Sequence, residues 1–386
     1  MSTIAFCLLT YRPDHPSGIE RSIAALIEGV RRLGHDPLIL AAGPPAPEDA
    51  AEPALTRLTS IQLPRPAVNS DVLAALADPG PVTAEVRSLL TRHSAAAVCW
   101  ADTLWGLGYL NPAPSATLSA LMVHKIRPGA EERWRRALAS ADVICPASDF
   151  LLAEGARNGL DVAAWETVPN ALLTDPSPVP CQRREELRAG GPARIASRVE
   201  PAKGLAEFLE AIPAGWNRPV ELVLAEADFE FWPGMQRDVI AACRAQAARR
   251  PDVIRLLPAL GWRQVPPFLA GAAATVICST EPETFCHTAA EALSVGTPLI
   301  GFDFGNVPIM AGPAGRVCAP GSGAGALWVL LQELLDDGPA YHQASRAAPA
   351  RVAGFTPEAA AARLLSALRL NNDPPAIRQG RDHREG

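Results

Sequence analysis

The sequence predicts an α/β protein made of two Rossmann-like, doubly wound domains that face each other across a cleft. Three observations carry this. Short β-branched or apolar runs alternate with helical patterns in two successive series, one ending near residue 170 and the other starting near residue 192. Between them lies Thr174–Pro192, with four prolines and an Arg/Glu-rich turn. The chain has 386 residues, enough for two sizeable cores at roughly 150 residues per domain.

The first series opens with Thr3–Thr10, an apolar run. It has no basic segment before it and no cleavage site after it, so it reads as a first strand and not as a leader. Ser17-Gly18-Ile19-Glu20 then gives a capping-box pattern. Ile19, Ile23, Leu26, Ile27, Val30 and Leu33 follow at helical spacing, and Gly34 ends that helix. Strands are predicted at Pro37–Ala42, Ala96–Trp100, Leu118–Val123, Asp142–Cys145 and Thr167–Pro169, with helices near Ala130–Ala139 and Asp149–Asn158. The segment 43–82 is rich in Pro and Ala and shows no clear period. In the second series Ala193–Ser197, Val220–Ala225, Val253–Leu257, Ala274–Cys278 and Pro298–Phe302 read as strands. Helices are predicted near Leu205–Ile212, Met235–Arg249 and His287–Val295. The domains are thus expected at 1–180 and 190–355, followed by a last helix within 356–370 and a loose polar tail at 371–386.

Composition narrows the function classes. Hydrophobic residues make up 48% and charged residues 20%, an ordinary balance for a folded chain. A formal charge of -6 argues against a nucleic-acid partner, which needs a broad basic surface. No run of about 18 apolar residues occurs, so no membrane-spanning helix is predicted. The eight cysteines are scattered singly, without a Cys-x-x-Cys. That predicts neither a zinc site nor a disulfide framework and fits a reducing cytoplasm. Of 35 basic residues only Lys125 and Lys203 are lysine. In a chain that uses arginine almost everywhere, a retained lysine marks a place where a compact ammonium is useful, against the plain alternative of chance survival at the surface.

The strongest chemical pattern is Glu283-Thr284-Phe285-Cys286-His287-Thr288-Ala289-Ala290-Glu291, which follows a strand and opens a helix. The free N–H groups of residues 285–287 at that helix start favour a phosphate. A carboxylate on either side of an anion site suits the hydroxyls of a sugar and of a ribose. The competing reading makes Glu283 a helix N-terminal charge and Glu291 a solvated face residue. Against it, Glu291 lies in an otherwise uncharged stretch, Thr288–Val295, where a lone carboxylate needs a partner. The second pattern, Arg198-Val199-Glu200-Pro201-Ala202-Lys203-Gly204, follows strand 193–197. Two cations five residues apart across a loop can hold a diphosphate from two directions, although alone they would read as a solvated basic loop.

In the first domain Gly18 begins a helix directly after strand one and its loop, where backbone can approach a phosphate; a plain helix cap explains it as well. His124 and Lys125 follow strand 118–123, and His124 is a candidate donor or polariser facing the cleft. Trp100-Ala101-Asp102-Thr103-Leu104-Trp105 offers two aromatic faces and a carboxylate, with Asp102 able to meet an amine or hydroxyl; ordinary packing is the competing account. No Asp-x-Asp occurs, so no metal is expected.

Taken in order, these pieces resemble the GT-B glycosyltransferases, specifically the large retaining family 4. That family has a Gly-rich loop after strand one and a helix ending in Gly-His, here Ser17-Gly18 and Gly34-His35. It has a histidine after a mid-domain strand, here His124, and a Ser and then Pro-Asn that close the first domain, here Ser148 and Pro169-Asn170. Its Gly-Arg and Glu-Lys-Gly pieces stand as Ser197-Arg198 and Ala202-Lys203-Gly204, and its Glu-x7-Glu signature is Glu283 to Glu291, followed by Gly296-Thr297-Pro298. The resemblance runs from about residue 4 to residue 370.

The resemblance implies that Arg198 and Lys203 bind the diphosphate of a nucleotide-sugar donor. It implies that Glu291 holds ribose hydroxyls, that Glu283 with the backbone of Phe285, Cys286 and His287 meets the donor sugar and phosphate, and that His124 lines the reaction centre. The last helix is implied to cross back onto the first domain. Three departures stand out: Glu283-Thr284-Phe285-Cys286 lacks both glycines of the usual Glu-Gly-Phe-Gly, Ser17 replaces a glycine, and a Gly-rich turn is replaced by Ala225–Asp228 followed by Phe229, Phe231 and Trp232, to which no role is assigned. The function expected is retaining, metal-independent transfer of a sugar from a nucleoside-diphosphate sugar to a hydroxyl of a small soluble acceptor, such as an antibiotic aglycone or aminocyclitol. Alternatives are a sugar-nucleotide epimerase or hydrolase using Glu283 and His287, and a non-catalytic sugar-nucleotide-binding or partner-activating protein.

Overall fold

Two six-stranded parallel sheets carry the chain in the computed structural model, which describes residues 1–126 and 131–370; the predicted tail lies outside the described residues. The first sheet is built from β1 (Thr3–Cys7), β2 (Asp36–Ala42), β3 (Leu55–Leu58), β4 (Ala95–Trp100), β5 (Leu118–Val123) and β6 (Val143–Pro146), in the order β3-β2-β1-β4-β5-β6. Around it lie α1 (Gly18–Arg32), α2 (Asn69–Ala75), α3 (Gly80–Arg92), α4 (Glu132–Ser140) and α5 (Asp149–Arg157). Its central strands are sealed on both faces: Ile4 to Cys7 of β1 and Ala97 to Trp100 of β4 are fully buried. A strand covered on both sides must be apolar throughout, which is why these runs are continuous and do not alternate.

After α6 (Cys181–Gly190) the second sheet repeats the plan with β7 (Ala193–Arg198), β8 (Val220–Ala225), β9 (Ile254–Leu257), β10 (Ala274–Ile277), β11 (Leu299–Phe302) and β12 (Gly315–Cys318). Its order is β12-β11-β10-β7-β8-β9, the same topology counted from its own first strand. Its helices are α7 (Leu205–Glu210), α8 (Met235–Arg249), α9 (Val265–Ala270), α10 (His287–Ser294), α11 (Val307–Ala311), α12 (Ala324–Asp336) and α13 (Gly338–Val352). The last helix, α14 (Pro357–Ala367), leaves this domain and packs on α1. Its Ala360, Ala361, Leu364 and Leu365 join a core with Ile23, Leu26, Ile27 and Val30 of α1. Each such leucine, isoleucine or valine side chain contributes about 1.5–3 kcal/mol when fully buried. The approach is so close that any Cβ at Gly29 would strike the Pro357 carbonyl.

Three segments differ from the sequence reading. Thr167–Pro169 is not a strand. It runs beside β6 through Glu166 N–H to Ile144 O (2.9 Å) and Val168 N–H to Pro146 O (3.0 Å), and Pro169 has no N–H to extend the ladder. The segment 43–82 contains β3, α2 and the start of α3, short elements whose polar and proline content hides their period. The stretch read as a linker contains α6, which belongs to domain two. Its buried Arg184 donates to the carbonyls of Ala270 (3.1 Å), Ala272 (2.8 Å) and Val295 (3.0 Å) and to Thr297 Oγ1 (2.8 Å). No helix among the described residues is long and apolar enough to cross a membrane.

Candidate active site

In this topology ligands bind beyond the carboxyl ends of the strands, where the strand order reverses. That point lies between β1 and β4 in one domain and between β7 and β10 in the other. The loops leaving these four strands meet around a cleft of about 450 Å³.

Domain two supplies a charged wall. Arg198 is the last residue of β7, and a short turn then brings Glu200 and Lys203 beside it. Gly204 closes that turn at φ +62°, with its Cα against the Cys278 carbonyl, so a side chain there meets both backbone strain and a clash. Lys203 Nζ donates to Glu283 Oε1 at 2.6 Å and lies 3.8 Å from Glu200, which pairs with Arg198 at 3.0 Å. Ser279 Oγ also donates to Glu283. Burial alone would raise the Glu283 pKa, but the Lys203 charge and hydrogen bond, with Ser279 and Arg198, outweigh it and hold the carboxyl below its usual value. Lys203 answers in kind: burial would lower it, and Glu283 and Glu200 more than offset that. Lys203 is thus held in place between two carboxylates and remains charged, with Arg198 paired beside it.

The loop after Glu283 is clamped from both sides. Asn306 donates through its backbone to Glu283 O (2.7 Å) and through its side chain to Phe285 O (2.9 Å), while Ser148 of domain one donates to Thr284 O (2.6 Å). Phe285 is buried, 5.3 Å from the Phe355 ring. Cys286 sits at φ 72°, in the left-handed region, at the N-terminus of α10. A cysteine therefore accepts the backbone that a glycine would adopt freely.

Domain one supplies the opposite wall. His124 is half-buried, and burial, opposed only by Asp102, pushes its pKa down to about 4, so it is uncharged at neutral pH. Its Nε2 is buried without a hydrogen-bond partner among the described residues. Asp102 Oδ1 accepts from the backbone N–H groups of Leu104 (2.9 Å) and Trp105 (3.1 Å). Lys125 pairs with Glu281 of domain two at 3.6 Å, both well exposed. At the start of α1, Gly18 has room: a Cβ would lie 3.7 Å from the His287 ring, an ordinary contact. Ser22 Oγ donates to Gly18 O (2.8 Å), so its oxygen is left to accept from His287 Nε2 at 2.9 Å. His287 is held neutral by burial and by the nearby Arg21 charge.

The structure therefore gathers Gly18, Asp102, His124, Lys125, Arg198, Lys203, Glu283, Phe285, Cys286 and His287 around one cleft. Glu291 stands apart. It is buried, its Oε1 is held at 2.5 Å by Arg21 of domain one, and Arg21, not Glu291, lines the cleft. The lone carboxylate does have its partner, from the opposite domain. Sequence reasoning missed Arg21, Glu200 and Ser279. Glu200 had a visible signal, an acid lodged between two cations; Arg21 and Ser279 had none.

The aromatic segment after β8 crosses to domain one. Phe229 forms a β-bridge with Ala67, through Ala67 N–H to Asp228 O (2.9 Å) and Glu230 N–H to Ala67 O (2.8 Å). Asp228 also pairs with Arg12 at 2.9 Å.

Residues 193–351 match the family model for glycosyl transferases group 1. The chain is a glycosyltransferase. Its fold is that of solved GT-B structures. Anabaena HepE in complex with UDP and glucose is similar at a TM-score of 0.74 and 16% identity, over 96% of this chain and 100% of that one. Sucrose-phosphate synthase from Thermosynechococcus elongatus is similar at 0.76 and 17%, over 96% and 99%. AviGT4, a glycosyltransferase involved in avilamycin A biosynthesis, is similar at 0.56 and 19%, over 96% and 97%. At these identities the likeness concerns the fold. No curated protein matches the enzyme.

Proposed function

We propose that the enzyme is a retaining transferase of family 4, which moves a sugar from a nucleoside-diphosphate sugar to a hydroxyl of a small soluble acceptor. The observation that carries this reading is the Arg198–Glu200–Lys203–Glu283 network at the switch point of domain two, opposite the neutral His124. The fold likeness to a protein bound to UDP and glucose supports it. In this reading Arg198 and Lys203 stabilise the leaving diphosphate as the anomeric bond stretches, without a metal, and the free N–H groups opening α10 add to the anion site. The transition state is oxocarbenium-like. The acceptor hydroxyl attacks on the face the diphosphate leaves, and the leaving phosphate takes its proton. His124, neutral and with a free ring nitrogen, hydrogen-bonds a hydroxyl at the reaction centre. Glu291 holds ribose hydroxyls once Arg21 shares it. Carboxylates of Asp102, Glu154 and Glu281 on the acceptor side suit an amine-bearing acceptor such as an aminocyclitol, with an antibiotic aglycone as the other small acceptor. Eight separate free cysteines fit a reducing cytoplasm.

A thermal-shift panel of UDP, GDP, ADP and TDP and their sugars, without added metal, tests this. A ligand at 100 times its Kd adds about 2.7 kcal/mol of stability. One nucleotide is expected to shift the melting temperature, the shift to vanish in Lys203→Ala, and turnover in that variant to fall about 100-fold or more. No shift with any nucleotide overturns the reading and favours a non-catalytic, partner-activating protein.

A further inference from the structure

We propose that Trp105, Phe229 and Phe231 form an acceptor platform that stacks a six-membered polyhydroxylated ring, a sugar or a cyclitol. The inference rests on the transferase reading of the cleft and names the part of it that selects the acceptor. All three aromatic residues line the cleft, and they come from both domains. The Trp105 and Phe229 ring centroids are 5.9 Å apart with planes tilted by 55°, and Phe231 meets Phe229 edge-on at 6.2 Å. Phe231 is 51% exposed, an apolar surface left open at the mouth of a polar cleft.

The platform is built, not incidental. Trp105 Nε1 donates to Asn69 Oδ1 at 2.9 Å, which fixes the indole plane. Its backbone N–H is held by Asp102, so a carboxylate stands next to the indole. Phe229 is held by the β-bridge to Ala67. The rest of its segment is pinned by Gln236, which bonds both backbone groups of Ala227 (2.6 and 3.0 Å), and by Glu230, which accepts from Gly234 (2.8 Å) and Gln236 (2.9 Å) N–H groups. Phe229 also carries the Arg198 guanidinium over its face, 4.8 Å from the ring centroid. The platform therefore begins where the donor's diphosphate ends.

The ligand class follows from the shapes. A chair-form ring directs C–H bonds to its faces and hydroxyls to its rim. The electron-rich faces of aromatic rings attract the C–H bonds, and carboxylates such as Asp102 take the hydroxyls or an amine. An acyclic polyol with the same hydroxyls has no such face. Phosphate oxygens do not stack on aromatic rings, so these residues face a ring of the substrates and not the donor diphosphate.

Saturation-transfer NMR with methyl β-glucopyranoside and, separately, sorbitol, in the presence of UDP, tests this on the full-length enzyme. The pyranoside is expected to receive saturation and sorbitol not. Trp105→Ala is expected to weaken pyranoside binding at least about tenfold, and Trp105→Phe to restore most of it. Phe231→Ala, at a half-exposed position that does not endanger folding, is expected to weaken it severalfold, with the UDP thermal shift kept. Equal transfer to both polyols overturns the proposal, as does a pyranoside signal that survives both alanine variants. A UDP shift lost together with the pyranoside signal in Phe231→Ala also overturns it. If UDP and the other nucleotides fail to bind but the pyranoside signal depends on Trp105, the platform stands and the transferase reading falls.

Discussion

Glu20 in domain one and Glu283 in domain two stand at comparable places, each near the point where a chain segment leaves a sheet and enters a helix, and each is shielded from water. Their ionisation is opposite. Glu20 is pushed up to about 8 because burial dominates; hydrogen bonds from the Arg12 backbone and Thr10 offset only part of it. Glu283 is held below its usual value because Lys203, Ser279 and Arg198 outweigh burial. Burial is common to both, and the nearest cation decides the outcome. The contrast extends to the whole cleft. Domain two presents ionised groups in counterpoised pairs, suited to a charged leaving group. Domain one presents a neutral histidine and the Trp105 indole, with Arg21, Asp102 and Lys125 around them, and meets the phenylalanines of domain two. The same strand order thus serves two chemistries through its loops alone.

The sharpest way to break this division is at a buried charge pair that the two domains share. Arg21→Gln strands the Glu291 carboxylate in a buried site, which is expected to cost about 3 kcal/mol in chemical denaturation, with Arg21→Lys recovering part. A loss under about 0.5 kcal/mol would mean that water reaches Glu291 freely. The next test uses pH. Glu20 has a folded-state pKa above its unfolded value of about 4.3, so its contribution is full below that value and is lost as pH rises toward about 8. Stability is expected to fall across this window by about 1.4 kcal/mol per pH unit from this group, and Glu20→Gln to flatten the slope. Glu283 has the opposite sign: its contribution is present above the unfolded pKa and is lost as pH falls through the depressed folded one. A Glu283→Gln variant is therefore expected to lose its stability deficit in acid. The smallest effect concerns backbone alone. Cys286→Gly is expected to be more stable than Cys286→Ala by about 1 kcal/mol, since only glycine adopts φ 72° without strain. Equal melting temperatures would show that this loop relaxes once the thiol is gone.

The central strands were legible because a parallel sheet buried on both faces leaves a continuous apolar run, as in β1 and β4. The switch-point loops were legible because their residue types are chemically rare: one of only two lysines, and a glutamate ahead of a helix. What was illegible depends on partners distant in sequence. The polar α6, flanked by prolines, reads as linker until its arginine is seen to satisfy carbonyls around α9 and α10. The edge strand β3, four residues long, carries too little pattern to detect. Arg21 and Glu291 are 270 residues apart, and the aromatic segment 229–232 makes sense only beside Ala67 and Trp105.

The return of α14 onto α1 bears on how the enzyme is made. During synthesis the strands and helices of domain one emerge first, but the part of the apolar surface of α1 that α14 covers stays open until Ala360 to Leu368 leave the ribosome. Translating the intervening domain takes roughly 10 to 40 s at about 5–20 residues per second. Throughout that interval the nascent chain carries an open hydrophobic seam, a natural landing place for a chaperone, and domain one reaches its final form only after domain two has been written.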